Sequence, residues 1–268
     1  MMRAGQISAS QAHSVLHIRL DHPSASLVKG IGSDSCKPFY SAATTWGKDH
    51  EPDALKAYSN IGGHTQFKLG KTGLRLCKEF PYIGASADGL AHCDCHSDRV
   101  VEVKCPFKHR NSSLDTMTAD PSFCLGKDLH LKHGHAYYAQ AQLQMYVHNL
   151  FMCDFVVWTS AVCVVVGVPR DDAFVLDMVP RLCTFFKRCV MPELLTRHIQ
   201  HDSATVSETV SEKLFCSCRM PANDSDLDDD MVGCDTHNCP HGEWFHFTCV
   251  GVKRVPKGNW FCPLCRKT

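Results

Sequence analysis

Gly84-Ala85-Ser86-Ala87-Asp88-Gly89-Leu90 is followed, after a short gap, by Val101-Glu102-Val103-Lys104-Cys105-Pro106, and these two stretches decide how the chain is read. Alternate residues of an extended strand share a face. Val101 and Val103 therefore turn to an apolar side, while Glu102 and Lys104 point together to the other. Pro106 ends the strand because it has no amide to donate. Asp88, in a glycine-containing turn, comes within reach of Glu102 if the two segments are neighbouring strands. Two carboxylates supply the hard oxygen ligands that Mg²⁺ takes. An ion held there polarises a phosphodiester and helps to generate the attacking hydroxide. An ammonium group on the same face orients or deprotonates water and offsets phosphate charge. By residue chemistry alone, an ordinary solvated Glu102/Lys104 pair is an equal reading. The apolar companion face and the abrupt end at Pro106 favour a site.

Working outward, residues 8–20 fit a helix, and residues 51–58 fit another with Pro52 in its first turn. Short strands are expected over 66–76 and 82–87, and a clearer one over 99–105. Residues 135–150 make four helical turns. On this helix Tyr137, Gln140 and Gln144 lie along one stripe, and Leu143, Tyr146, Val147 and Leu150 along an apolar one. The β-branched runs 155–158 and 162–168 read as paired central strands. Residues 172–196 read as helical with interruptions at Pro180 and Pro192. The order of elements predicts an α/β (α+β) domain with a mixed sheet.

The chain has 268 residues, with 28 Lys and Arg against 28 Asp and Glu. That balance excludes a histone-like basic chain, so any nucleic-acid role rests on a local groove. Apolar residues at 44% support a packed core. No apolar run is long enough to span a membrane, and residues 1–20 carry no secretory apolar segment, so an intracellular chain without a membrane partner is expected. Of 17 cysteines, seven fall between Cys216 and Cys265. An odd number without a secretion signal argues against a disulfide framework and for a metal-stapled C-terminal module. Residues 198–214 are polar and weakly patterned, which divides the chain into a domain over 1–200, a linker over 201–213 and a module over 214–268.

The ordered stretches 80–90 and 100–107 resemble the YqaJ-type viral recombinase family, grouped with lambda exonuclease in the restriction-endonuclease-like PD-(D/E)xK nucleases. Further matches lie in Ile7-Ser8-Ala9-Ser10, in Trp46-Gly47-Lys48-Asp49-His50-Glu51, and in Tyr137-Tyr138-Ala139-Gln140-Ala141-Gln142. Ala87 departs from the family, which usually has proline there. The resemblance implies a metal-dependent DNA exonuclease acting 5′ to 3′ on duplex DNA. It implies Asp88 and Glu102 as principal Mg²⁺ (or Mn²⁺) ligands, with Glu51 and the carbonyl of Val103 completing the set. Lys104 positions water and phosphate, and Gln140 holds the geometry. Arg3, Ser10, Lys71, Arg75, Lys108 and Arg110 are the candidate DNA contacts. Cys93-Asp94-Cys95, flanked by His92 and His96, resembles a cysteine-rich hairpin of eukaryotic members and is read as a reduced hairpin tip in preference to a zinc site. The ring assembly of lambda exonuclease leaves homo-oligomerisation open.

In the tail, Cys216 and Cys218, Cys234 and Cys239, His246 and Cys249, and Cys262 and Cys265 form four ligand pairs, enough for two tetrahedral zinc ions. A module of this size has little core, so metal must supply much of its stability. Residues 231–235, 243–247 and 256–266 resemble a PHD finger of the inhibitor-of-growth type. Trp260, two residues before Cys262, favours PHD over RING. The resemblance implies a cross-brace: Cys216, Cys218, His246 and Cys249 on one zinc, and Cys234, Cys239, Cys262 and Cys265 on the other. It also implies recognition of trimethylated lysine on the histone H3 tail, with Phe215, Met231 and Trp244 as the cage and Trp244 as the main cation–π face. Asp229, Asp230 and Asp235 would pair with basic groups of the tail. A nuclear location follows from that reading. The rival is a non-catalytic nuclear adaptor in which the nuclease fold is scaffold; the intact set Glu51, Asp88, Glu102, Lys104 and Gln140 argues against it.

Overall fold

A computed structural model describes residues 5–32 and 41–197, together with 231–236, 239, 244–252, 260–263 and 265–267. It divides into two compact units, Met1–Gln200 and His201–Thr268. Arg3, Phe215, Cys216, Cys218, Asp229 and Asp230 lie outside the described residues.

The first unit is built on five strands in the order β2 (Lys68–Gly70), β5 (Gly89–Cys93), β6 (His96–Lys104), β7 (Met152–Trp158) and β8 (Cys163–Pro169). β6 and β7 are parallel, and the other pairs are antiparallel. The sheet is therefore mixed, as the element order predicts. A parallel pair needs a crossover, and here it carries α4 (Leu114–Ala119) and α5 (Ala136–His148). A second sheet joins β1 (Ile7–Ser8), β4 (Ile83–Ala85) and β3 (Arg75–Leu76) in the order β1-β4-β3. α1 (Ala12–Leu16), α2 (Ala25–Gly32), α6 (Asp172–Phe185) and α7 (Met191–Thr196) pack with it and with α5 around Ile83, Leu143, Met178, Leu182 and Phe185.

The alternation expected in β6 decides which helix covers which face. Val101 and Val103 pack with Ala54 and Tyr58 of α3 (Ala42–Ser59). Val100, on the opposite face, packs with Ala141 and Met145 of α5. Glu102 shares that second face and is thus placed under α5. The left-handed Asn149 ends α5 (φ 54°), a position asparagine tolerates.

Several expectations need correction. α3 starts nine residues before the expected Glu51, because Ser41 accepts the Thr44 amide at 3.1 Å and Thr44 Oγ1 accepts the Ser41 amide at 2.8 Å. That reciprocal cap fixes the start, and Pro52 sits inside the helix. Pro180 likewise lies inside α6, whose face bearing Val175, Met178 and Leu182 is buried. α2, α4 and β5 were not expected from the pattern. Gly89 opens β5 because the edge strand crowds it: a Cβ there would meet Leu69 Cδ1 at 2.7 Å.

On the α3 side of the sheet, buried Asp154 accepts the Tyr58 hydroxyl at 2.7 Å and Arg99 Nη1 at 3.0 Å. Removing the cation leaves a buried charge without compensation. We expect Arg99→Ala to cost about 3 kcal/mol and Tyr58→Phe about 1 kcal/mol in urea denaturation.

Candidate active site

The carboxyl ends of parallel β6 and β7 open into a cleft of about 560 Å³ between α3 and α5. Open α/β sheets offer ligand sites at such strand ends. Glu51, Asp88, Glu102, Val103, Lys104, Lys108, Tyr137 and Gln140 all line it. Five residues named from sequence as a catalytic set therefore face one cavity, although they come from α3, the start of β5, β6 and α5.

Asp88 reaches Glu102 because β5 pairs with β6. The Asp88 amide donates to Val101 O at 3.1 Å, and Asp88 Oδ2 accepts the Val103 amide at 2.7 Å. The Glu102 side chain is only 2% exposed. Its Oε1 accepts Lys104 Nζ at 2.6 Å and Gln140 Nε2 at 2.5 Å, and its Oε2 accepts Gln144 Nε2 at 2.6 Å. Lys104 Nζ also donates to Gln140 Oε1 at 3.4 Å and stands 4.4 Å from the centre of the Tyr137 ring. The stripe Tyr137, Gln140, Gln144 thus meets the Glu102/Lys104 pair along its length. Gln144 and Tyr137 were legible as stripe members, but their roles depend on the height of α5 above β6, which no local pattern gives.

The charged groups of the cleft shift one another. Burial pushes the Asp88 carboxyl up to about 7, helped by the charges of Glu102 and Glu51 and opposed by the Val103 amide and Lys104. Burial pulls Lys104 down, but the neighbouring Glu102 carboxylate outweighs it, and Lys104 is held above its ordinary value. Burial also pushes the Tyr137 phenol up. Glu51, Asp88 and Glu102 bring three carboxylates to the cleft, with Lys104 bonded to Glu102 among them and Lys48 and Lys108 also in the lining. A carboxylate offers about four lone-pair sites. Three hydrogen bonds on Glu102 and one on Asp88 leave oxygen donors for a hard divalent cation. The donor set therefore fits Mg²⁺ or Mn²⁺.

The candidate DNA contacts separate. Lys108 lines the cleft and pairs with Asp120 at 3.0 Å. Arg110 folds over the Phe107 ring at 4.2 Å and donates to the Phe107 carbonyl. Lys71 borders a second opening shared with Glu51 and Asp88. Arg75, on β3, lines a different cavity with Lys78, Glu79 and Tyr146. Ser10 is exposed in the turn Ala9–Gln11 and exchanges a hydrogen bond with Ser8 at 3.0 Å.

In the second unit, β9 (Met231–Gly233) and β10 (Trp244–His246) form an antiparallel pair, followed by α8 (Phe247–Val250). The sulfurs of Cys234, Cys239, Cys262 and Cys265 lie within 4.8 Å of one another, a four-thiolate set that fits zinc. Trp260 is buried against Phe245 in the small core. Asp235 Oδ2 accepts the Trp260 amide at 2.6 Å, so this candidate histone contact also holds the module together. His246 lies on β10 and Cys249 on α8, whereas their expected zinc partners Cys216 and Cys218 fall outside the described residues. Of the expected cage, Met231 and Trp244 lie on the strand pair β9–β10, with Trp244 registered against Gly233.

The family described as the YqaJ-like viral recombinase domain matches residues 1–150, more than half of the chain. The chain belongs to this family. An alkaline exonuclease (LHK-Exo) from Laribacter hongkongensis aligns over 77% of this chain and 95% of its own, with TM-score 0.51 and 21% identity. Its complex with dAMP aligns with TM-score 0.52 over the same shares. These likenesses show the fold. Inhibitor of growth protein 1 of Mus musculus is 45% identical over 56 residues, 21% of this chain and 18% of that protein. Chromatin modification-related protein png2 of Schizosaccharomyces pombe is 39% identical over 75 residues, 28% of this chain and 22% of that protein. The chain spans less than a quarter of the length of these curated relatives, and the homology is that of a PHD finger in the C-terminal region. No helix among the described residues is long and apolar enough to cross a membrane.

The Asp88 shift has a defined sign. A carboxyl raised from 3.8 to about 7 on folding carries no penalty at low pH, where it is protonated in both states. Stability of the metal-free chain falls as pH rises from about 4 through 7. We expect metal-free Asp88→Asn to melt above the metal-free parent at pH 8, by roughly 2–4 °C per kcal/mol relieved, and level with it at pH 4, by calorimetry.

Proposed function

We propose that the YqaJ-like domain is a divalent-metal-dependent deoxyribonuclease that shortens duplex DNA from its 5′ end, and that the PHD-type module docks it on the histone H3 tail. The observation that carries the first half is the convergence of Asp88, Glu102, Lys104 and Gln140 in one cleft, where the Glu102 and Glu51 carboxylates crowd Asp88. Asp88 and Glu102 would hold the ion, with Glu51 and the Val103 carbonyl beside them. When bound, the ion supplies Lewis-acid activation of the phosphate and lowers the pKa of water.

The chain's own residues do the rest. Lys104, held protonated by Glu102, acts as a cationic donor to a phosphate oxygen or to the attacking water rather than as a base. Tyr137, kept neutral by burial, gives that ammonium an aromatic floor. Gln140 and Gln144 hold Glu102 with both oxygens turned to fixed partners, so the site is assembled before substrate arrives. Lys108, at the rim of the cleft, can exchange its Asp120 partner for a DNA phosphate.

For the second half, the carrying observation is the four-cysteine cluster in a segment homologous to growth-inhibitor PHD fingers. Two zinc ions would complete that module, with Cys216, Cys218, His246 and Cys249 on the second. Phe215, Met231 and Trp244 would form the cage for trimethylated lysine, and Asp229, Asp230 and Asp235 would meet the basic groups around it. A nuclear site of action follows from that partner.

The test is incubation of the full chain with duplex DNA labelled at either end. Cleavage with Mg²⁺ or Mn²⁺ and none with EDTA is expected. Glu102→Gln and Lys104→Ala should each lower the rate at least about 10³-fold, the scale of losing an electrostatic contact made to the transition state. Gln144→Ala should cost less. Release of label from 3′ ends first would reverse the polarity. Absence of cleavage with every divalent ion, together with H3 binding, would leave the adaptor reading. In titrations with H3 peptides, Trp244→Ala should remove the preference for trimethyl-lysine; equal binding by both chains would refute the cage.

A further inference from the structure

The hairpin joining β5 to β6 carries a second cluster that the nuclease cleft does not use. Cys93, the last residue of β5, pairs across the turn with His96, the first residue of β6, and the ladder shifts register between Ala91 and Cys93 to permit it. Cys95 lies in the turn between them. His64 enters from the segment ahead of the edge strand β2, and that segment is tied to the turn where the Asp94 amide donates to Thr65 O at 3.0 Å. The four side chains, each offering one ligand atom, lie within 4.8 Å of one another.

Three of the six spacings lie close to those of a tetrahedral site. Zinc takes sulfur at about 2.3 Å and imidazole nitrogen at about 2.0 Å, so at tetrahedral angles sulfur and nitrogen stand about 3.5 Å apart and two sulfurs about 3.8 Å apart. Here Cys95 Sγ and His64 Nδ1 are 3.5 Å apart, Cys93 Sγ and His96 Nδ1 3.6 Å, and the two sulfurs 3.4 Å. The sulfurs are too far apart for a disulfide bond. The neighbouring His92 is not part of the set, and its Nδ1 is 2.6 Å from Asp98.

We propose that His64, Cys93, Cys95 and His96 form a structural zinc site of the two-cysteine, two-histidine type within the nuclease domain. This revises the reading of the hairpin as a reduced tip. The sequence gives the Cys-x-Cys-His run, but His64 lies 29 residues before Cys93 and joins it only through the pairing of β2 with β5. Binding releases the two thiol protons to solvent and leaves all four coordination positions filled by protein, so the site is closed and has no open position for substrate. Its work is mechanical. β2 has three residues and lies at the sheet edge. Gly70, Lys71 and Thr72, at its end and just beyond, border the opening that Glu51 and Asp88 share. Zinc would pin the near end of that strand to the hairpin and so steady this wall of the second opening.

The test is metal content of the full chain purified without chelator, by elemental mass spectrometry. Cys95→Ser and His64→Ala each replace an exposed side chain and should leave the fold in place. Each should carry about one zinc per chain fewer than the parent, while a variant in the C-terminal cluster, Cys265→Ser, loses zinc independently. In cobalt-substituted protein the thiolate charge-transfer absorbance should fall in Cys95→Ser and persist with altered visible bands in His64→Ala. Equal zinc in the parent and in both hairpin variants would overturn the proposal, as would a Cys93–Cys95 disulfide in the protein as purified, found by peptide mass spectrometry.

Discussion

A carboxylate buried beneath a helix is the constraint around which the first domain is arranged. Glu102 sits on a central strand with almost no solvent access, and a lone carboxylate in such a place costs several kcal/mol. The chain meets that cost with three donors from two elements: Lys104, two residues along the same strand, and Gln140 and Gln144 from α5. α5 is itself part of the crossover that lets β6 and β7 run parallel. Topology and charge are therefore coupled. The helix needed to close a parallel pair also carries the amides that make the buried acid tolerable.

The compensation is deliberately incomplete. Glu102 is satisfied, but Asp88 is drawn into the same cleft by its bond to the Val103 amide, and Glu51 approaches from α3. Like charges in a partly desolvated space raise the proton affinity of Asp88. A site in this condition gains most from a divalent cation. The protein separates its candidate metal donors by type. Oxygen donors, which suit an exchangeable hard ion, gather at the strand ends. Sulfur and imidazole gather at the hairpin tip and four sulfurs gather in the C-terminal unit, donor sets that suit a closed structural ion.

How much of this was legible in the sequence depends on the range of the forces involved. β6 was legible because a two-residue period and a terminal proline are local signals. The stripe on α5 was legible for the same reason. The start of α3 is equally local: it is set by the reciprocal cap of Ser41 and Thr44, and Pro52, which is also a first-turn signal, lies inside the helix. β5 was not legible, because its place is set by the edge strand against Gly89 and by the ladder to β6. The grouping of Glu51 with Asp88 came from family resemblance; no short-range pattern spans α3 and the start of β5. Arg75 illustrates the reverse case, a basic residue near the motif in sequence that faces another cavity in space.

Binding of Mn²⁺ to the zinc-loaded full chain, followed by electron paramagnetic resonance, tests the shared ion most directly. The account predicts a saturable site in the parent that Glu102→Gln and Asp88→Asn each abolish, with zinc content unchanged. Mn²⁺ binding of equal stoichiometry and affinity in all three chains would mean that these carboxylates do not hold a common ion, and the nuclease assignment would fall with it.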